Sequence, residues 1–136
     1  MDELSRMIED RNRRMLRARD AMDRGFSQPL EVPAVAQVAH VSPAHFSRQF
    51  RATFGEPPHR YLQRRRVERA MELLRETERP ITEICLDVGF NSLGTFSRVF
   101  REIVGESPST YRARVEAGTA RGVPACWAMA WMRPAS

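Results

Sequence analysis

Residues 35–61, VAQVAHVSPAHFSRQFRATFGEPPHRY, recur as residues 85–111, CLDVGFNSLGTFSRVFREIVGESPSTY, at an offset of fifty positions with no gap. A fifty-residue repeat is also typical of solenoids, but a solenoid needs about three or more copies to bury a continuous core. Two copies separated by a helix-like segment instead predict a duplicated unit. Eleven of the 27 aligned positions are identical, namely Val38/Val88, Ser42/Ser92, Phe46/Phe96, Ser47/Ser97, Arg48/Arg98, Phe50/Phe100, Arg51/Arg101, Gly55/Gly105, Glu56/Glu106, Pro58/Pro108 and Tyr61/Tyr111.

Each copy predicts a short helix, a tight turn and a second helix. Ser42 is a natural N-cap for the second helix of the first copy, and Gly55 is a natural end for it. Between them Phe46, Phe50 and Phe54 are spaced by four residues, which predicts one core-facing stripe. The counterparts of these residues in the second copy predict the same structure.

The short first helices are predicted from their apolar positions. In the first copy Pro33 suits a first helical position, and the apolar face is expected to contain Val35, Val38 and Ala39. In the second copy the corresponding face is expected to contain Ile81, Ile84, Cys85 and Val88, with a turn at Gly89 and Phe90 packed beneath it.

The segments around the copies also predict helices. Residues 3–24 are expected to form one helix ended by Gly25, residues 58–76 a long linker helix, and residues 108–116 a last helix. No strand pattern is present. The expected fold is all-α with about seven helices, forming a domain over 1–116 with lobes at about 12–56 and 80–116. The tail, 117–136, contains Trp127 and Trp131; it either packs back over a lobe or contacts a partner.

Composition and charge restrict the class of partner. The chain of 136 residues has a formal net charge of +5, and all 22 of its basic residues are Arg. Such a balance indicates an anionic partner, nucleic acid or a membrane surface, or else a solubilising surface charge. The N-terminal stretch has no apolar signal core. No segment reaches the roughly 20 apolar residues of a membrane span. The two cysteines, Cys85 and Cys126, form no disulfide framework. We therefore expect a cytoplasmic protein without membrane contact.

The order of helix, short turn and helix is that of the DNA-binding helix-turn-helix. Over about residues 12–116 the chain resembles the AraC/XylS transcription regulators. The resemblance is carried by VAQVAHVSPAHFSRQFRATFGEPPHRYLQRRRVERAMELL (35–74) and ITEICLDVGFNSLGTFSRVFREIVGESPSTYRARV (81–115). The second stretch has the family's apolar short helix, Gly-Phe, Phe-Ser-Arg-x-Phe-Arg, Gly, Pro and Tyr.

The resemblance implies a sequence-specific regulator that binds double-stranded DNA, with seven helices in two helix-turn-helix lobes. It also implies that the two reading helices address neighbouring major-groove segments on one face of the duplex. Because only some thirty residues precede Pro33, the chain looks like the stand-alone members of the family. Those members bind DNA as monomers and activate transcription by touching RNA polymerase.

By analogy with the family, the residues expected to contact bases are Ala44, Ser47, Arg48, Leu93, Gly94, Ser97 and Arg98. The residues better placed for phosphates are His45, Arg51, Thr95 and Arg101, together with the capped helix N-termini.

The candidate base contacts differ in what they can read. Arg48 and Arg98 are suited to bidentate contacts with guanine O6 and N7, whereas Ala44 and Leu93 offer only apolar contact, best suited to a thymine methyl. Gly94 has no side chain for reading a base, which departs from the family pattern. Nearly all hydrogen-bonded readout in the second lobe is therefore expected to rest on Arg98.

Enzyme chemistry is not indicated. His40, His45 and His59 lie outside metal-binding spacings such as H-E-x-x-H, and there is no G-x-S-x-G or Gly-rich phosphate loop. We expect no catalytic residue, no cofactor and no metal. Two alternatives stay open: a nonspecific architectural DNA-binding protein that reads shape, and a protein-interaction module that uses the Trp-containing tail.

Overall fold

The computed structural model describes residues 2–118, and over that range the chain forms seven α-helices and no strand. The all-α prediction with seven helices is therefore confirmed. Trp127 and Trp131 of the tail lie outside the described residues. The helices are α1 (Glu3–Gly25), α2 (Val32–Val38), α3 (Pro43–Phe54), α4 (Pro58–Glu76), α5 (Ile81–Asp87), α6 (Leu93–Val104) and α7 (Pro108–Glu116).

The helices form two compact units, each with its own core. The first unit ends at Leu62 and the second begins at Gln63, so α4 belongs to both. The first core is made by α1, α2, α3 and the start of α4, and its main members are Met15, Ala18, Met22, Val35, Ala36, Ala39, Phe46, Phe50, Phe54, Tyr61 and Leu62. The second is made by the rest of α4 with α5, α6 and α7, and its main members are Val67, Ala70, Leu74, Ile84, Cys85, Val88, Phe90, Phe96, Val99, Phe100, Ile103 and Tyr111.

The second helix of each helix-turn-helix begins and ends as its sequence predicts. The Ser42 hydroxyl accepts a hydrogen bond from the backbone N–H of His45, and Pro43 occupies the first helical position. Gly55 then ends α3 in the left-handed conformation with φ of 82°, which costs glycine little because it has no Cβ. In the second unit Ser92 and Gly105 have the same roles around α6.

In the structure the two copies do not align without a gap, contrary to the gapless alignment of residues 35–61 with residues 85–111. Ala36 and Cys85 are both buried, and their carbonyls accept from the N–H groups of Val41 and Phe90 respectively, so α2 and α5 align at an offset of 49. The offset returns to fifty at the serine caps, because the second turn is one residue longer. The identical pair Val38/Val88 is therefore not structurally equivalent.

This shift corrects the predicted apolar face of α2. Val35 and Ala39 are buried as expected, but Val38 is 43% exposed and Ala36 takes its place in the core. In the second unit Val88 is buried as expected. Cys85 is buried beside it, and burial raises the pKa of its thiol, so the side chain stays neutral and serves as a packing group.

The duplication also includes the helix that precedes each helix-turn-helix. Arg13, Arg14, Arg17 and Ala18 of α1 recur in α4 as Arg65, Arg66, Arg69 and Ala70, at an offset of 52. The buried residues of the two helices follow the same offset: they are Met15/Val67, Ala18/Ala70 and Met22/Leu74. Consequently α4 acts both as the closing helix of the first unit and as the opening helix of the second.

Two details of the first unit differ from the predicted boundaries. Gly25 is the last residue of α1, but the capping residue is Phe26 in a right-handed conformation, so the helix does not end through a left-handed glycine. Pro33 occupies the second position of α2, after Val32, rather than the first. Proline is tolerated at either position because the first N–H groups of a helix have no partner within it.

Arg112 of α7 stabilises the connection between α4 and α5. Its guanidinium donates to the backbone carbonyls of Leu74, Thr77 and Arg79 at 3.3, 3.2 and 2.7 Å. The last carbonyls of a helix have no intrahelical donor, and a basic side chain near them is also favoured by the helix dipole. One side chain therefore fixes both the end of α4 and the path of the chain towards α5.

Candidate nucleic-acid interface

The candidate reading residues of the first unit share one face of α3. Ala44, Ser47, Arg48 and Arg51 follow the i, i+3, i+4, i+7 spacing of neighbouring positions on a helix surface. Ala44, Arg48 and Arg51 are exposed, and Ser47 is partly buried. Because the phenylalanines anchor another face of α3 in the core, this face is held rigidly towards solvent.

The equivalent residues of the second unit lie on α6, with a different chemical character. Leu93 is 43% exposed at the first position of the helix, which leaves an apolar side chain available for contact. Gly94 is exposed, and a Cβ at this position would meet no atom of the described residues within 4 Å. Ser97 is partly buried, whereas Arg98 is exposed. The glycine is thus neither a turn residue nor a site of close packing.

Arg48 is positioned by neighbours on its own helix. One of its terminal nitrogens lies 3.4 Å from Nδ1 of His45, and the other ring nitrogen of His45 lies 2.9 Å from the Gln49 amide. All three side chains belong to one stretch of α3, so the histidine bridges two potential base-reading groups. Sequence reasoning assigned His45 to phosphates and did not identify Gln49, although an i, i+4 spacing from His45 was visible.

Arg98 has a different neighbour from its counterpart Arg48. Its guanidinium forms an ion pair with Glu102 of α6 at 2.9 Å, one helical turn away. The residue equivalent to Glu102 in α3 is Ala52, which has no charge. Sequence analysis missed Glu102, yet its i, i+4 spacing from Arg98 was a readable signal. The two units therefore present their matched arginines in unequal electrostatic surroundings.

The residues assigned to phosphates occupy two kinds of position. His45 and Thr95 are exposed in the first turns of α3 and α6, where the backbone N–H of each donates to the capping serine. The Thr95 hydroxyl also accepts from the Ser92 hydroxyl at 2.9 Å, which leaves its own proton free to donate. Arg51 and Arg101 are exposed in the last turns, where a positive charge also stabilises the helix dipole.

Other classes of site receive no support from the described part of the chain. Among residues 2–118, no three His, Cys, Asp or Glu side chains are grouped so that they could hold a metal ion. In the same range, every helix is too short or too polar to cross a lipid bilayer.

Comparison with known proteins agrees with the duplicated helix-turn-helix. Residues 35–114 match a family model described as a helix-turn-helix domain. The regulatory protein SoxS of Salmonella typhimurium is 39% identical over 94 residues, which cover 69% of this chain and 88% of SoxS. SoxS of Escherichia coli matches with the same identity and coverage.

Solved structures give the same result. The C-terminal domain of the response regulator AraT from Geobacillus stearothermophilus matches with a TM-score of 0.70 and 38% identity, over 74% of this chain and 84% of that one. The DNA-binding domain of AdpA, solved in complex with a target DNA, matches with a TM-score of 0.72 and 28% identity, over 76% and 93%. With its two helix-turn-helix units, the chain therefore belongs to the AraC/XylS family of DNA-binding transcription regulators, which are not enzymes.

Proposed function

We propose that this chain is a sequence-specific regulator that inserts α3 and α6 into neighbouring major-groove segments of one duplex. The observation that carries the proposal is the matched exposure of Arg48 and Arg98 on two helices whose opposite faces are locked into separate cores. Arginine is the side chain best suited to bidentate contact with guanine. Because it is carried by a rigid helix, no loop has to be ordered when the contact forms.

The remaining candidates support the same arrangement. Ala44 and Leu93 would contact thymine methyl groups, and Ser47 and Ser97 would donate to or accept from base edges. His45, Arg51, Thr95 and Arg101 would hold phosphates on either side, since such contacts set the register of a protein on DNA. We further propose that the chain binds as a monomer, because its two units already supply two reading helices, and that it acts on transcription by contacting RNA polymerase.

Selection of bound sequences from random duplex DNA tests the reading mechanism. We expect two information-bearing segments whose centres lie about one helical turn, or roughly 10 base pairs, apart. Arg48→Ala should erase a preference in one segment and Arg98→Ala a preference in the other, each at a cost of about 1–3 kcal/mol on the selected site. If neither variant changed the selected sequences, the nonspecific architectural alternative would replace this proposal.

Arg51→Ala and Arg101→Ala provide matched controls in the same two helices. Because phosphates carry no sequence information, both variants should weaken selected and random duplex alike. Each should also reduce the slope of log affinity against log salt by about one unit. For the unmodified chain, six to eight phosphate contacts would give a slope of about −5 to −7, and a slope flatter than about −2 would show that this Arg surface is not the binding face.

A further inference from the structure

An open groove in the first unit lies between α1 and the end of α3. It has a volume of about 370 Å³ and is lined by Arg11, Asn12, Leu16 and Arg19 of α1 and by Ala52, Thr53 and Phe54 of α3. The candidate base contacts occupy the first half of α3, next to the Ser42 cap, whereas the groove is formed by its last turn. None of the proposed DNA contacts lines the groove, but Arg51 precedes Ala52, so the groove borders the proposed phosphate contacts.

The charged residues that line the groove, Arg11 and Arg19, are both basic. Residues 11–19 of α1 contain five arginines and no acidic residue, namely Arg11, Arg13, Arg14, Arg17 and Arg19. Acidic residues flank this stretch: Asp10, which precedes Arg11, pairs with Arg14 at 3.1 Å, and Asp20 follows Arg19. A strongly positive helix beside a concave surface favours an occupant with negative charge.

Apolar surface extends along the same helix. Leu4, Ile8 and Leu16 are 65%, 43% and 43% exposed, and they lie on one ridge of α1 at multiples of four residues, with Asn12 between the last two. At the end of this ridge, the Arg19 guanidinium lies 4.6 Å from the centre of the Phe54 ring and forms one wall of the groove. An occupant that is only an anion would leave this apolar surface in water.

Two polar atoms in the walls of the groove lack partners within residues 2–118. They are Nε of Arg11 and Oγ1 of Thr53, and both are buried. Each is a hydrogen-bond donor, and a buried donor normally has an acceptor. A carboxylate oxygen in the groove would accept from either group once that side chain turned towards it.

We propose that this groove binds an acidic segment of another protein, with a carboxylate on Arg11 and Thr53 and an apolar side chain against Leu16. Charge, apolar lining and the unsatisfied donors together favour such a segment over a DNA phosphate, because a phosphate diester has the charge but no apolar group to cover Leu16. The site does not depend on the proposed DNA reading, and it can be tested in the absence of DNA.

A peptide titration of the full chain, followed by heteronuclear NMR, tests the proposal. The probe is an acetylated and amidated peptide of sequence Glu-Leu-Asp-Leu-Glu, and its control is Gln-Leu-Asn-Leu-Gln. We expect saturable shifts of backbone amides in residues 11–19 and 52–54 with the acidic peptide, and at least fivefold weaker binding of the control. Equal binding of both peptides, or the same shifts on addition of a random duplex in place of peptide, would overturn the proposal.

Variants separate binding from folding. Thr53→Val removes the unsatisfied hydroxyl at nearly constant shape, so it should keep the fold and weaken the acidic peptide about threefold or more. Leu16→Glu should abolish binding, because it introduces a negative charge at an exposed position of the groove. The matched control is Leu86→Glu on α5, which is 64% exposed and should leave binding unchanged. Unchanged affinity in both groove variants would rule this site out.

Discussion

Tyr61 and Tyr111 occupy equivalent positions of the two units and form hydrogen bonds in opposite senses. The Tyr61 hydroxyl donates to Asp23 of α1 at 2.6 Å, whereas the Tyr111 hydroxyl accepts from Arg75 of α4 at 2.8 Å. Both rings are buried and pack edge-on against a phenylalanine of the preceding helix, at 5.6 Å and 5.8 Å between centroids. The packing is thus duplicated while the polar contact is reversed.

This reversal predicts unequal effects of the same substitution. Tyr61→Phe removes one donor from a partly buried carboxylate and should cost the first unit about 1.5–3 kcal/mol. Tyr111→Phe should cost the second unit less, about 0.5–1.5 kcal/mol, because the exposed Arg75 regains water. Amide hydrogen exchange in α3 and α6 measures the two units separately, and an equal loss in both would contradict the prediction.

The turns between the helices predict a pair of effects with opposite signs. His40 adopts a positive φ of 59°, and Gly89, with a φ of 104°, has the equivalent place in the second unit. His40→Gly should change the stability of the first unit only slightly, between zero and a gain of about 1 kcal/mol, because relief of strain is offset by the flexibility of glycine. Gly89→Ala should cost the second unit at least about 1 kcal/mol. Urea denaturation measures the stability of each variant, and hydrogen exchange assigns the change to one unit. A loss of stability in His40→Gly, or a gain in Gly89→Ala, would contradict the prediction.

Gly94 should accept a side chain without strain. Because a Cβ there meets open space, Gly94→Ala should raise the stability of the second unit by about 0.5–1 kcal/mol through better helix propensity. Gly105→Ala, at the C-cap of the same helix, is the control: the space is also open, but φ is +94°, so this variant should be destabilised. Thermal unfolding measures the stability of both variants, and a loss of stability in Gly94→Ala would show that this position is constrained.

Arg112 should contribute more to stability than its partial exposure suggests. Arg112→Met removes all three bonds to carbonyls at and after the end of α4 and should cost about 2–3 kcal/mol, since hydrogen bonds from charged donors are stronger than neutral ones. Arg101→Met removes an exposed arginine from the same unit and should change stability by less than about 0.5–1 kcal/mol. Urea midpoints that did not differ between the two would refute this role.

Glu102 should restrain Arg98, if α6 reads DNA as proposed. Glu102→Gln breaks the ion pair and removes a negative charge near the phosphates, so affinity for random duplex should rise by up to about fivefold, or about 1 kcal/mol. Preference at the base pair read by Arg98 should become broader. Glu76→Gln makes the same charge change at the end of α4 and should have a smaller effect on affinity. Identical binding curves for Glu102→Gln and Glu76→Gln would contradict the role proposed for Glu102.

The sequence alone predicts the helices well where local chemistry determines them. The serine caps, the glycine ends of α3 and α6 and the phenylalanine stripes are local features, and the structure confirms each. The error at Val38 has a different origin. Identity at an offset of fifty concealed a one-residue difference in turn length, which moves Val38 from the core to the surface. Such a shift changes no local propensity and is decided by packing alone.

Two other features required tertiary information. The shared packing pattern of α1 and α4 was present in the sequence as Arg13/Arg65 and Ala18/Ala70, but its offset of 52 differs from that of the obvious repeat. The hydrogen bonds of Arg112 link residues more than thirty positions apart, so no local sequence pattern predicts them. The surface positions of the candidate DNA contacts were predictable from helical spacing, whereas their role in reading DNA stays a prediction.

The shared helix α4 limits how the gene can change in length. Tyr61 and Leu62 face one core and Val67 and Ala70 face another, on a helix that continues between them without interruption. Inserting a single residue between these two sets would rotate one set about the helix axis by about 100° relative to the other, while each set stayed packed in its own core. Insertion of seven residues, close to two full turns, would nearly restore the phase. If both reading helices contact one duplex as proposed, tolerated insertions and deletions in this helix should therefore come in steps of whole turns.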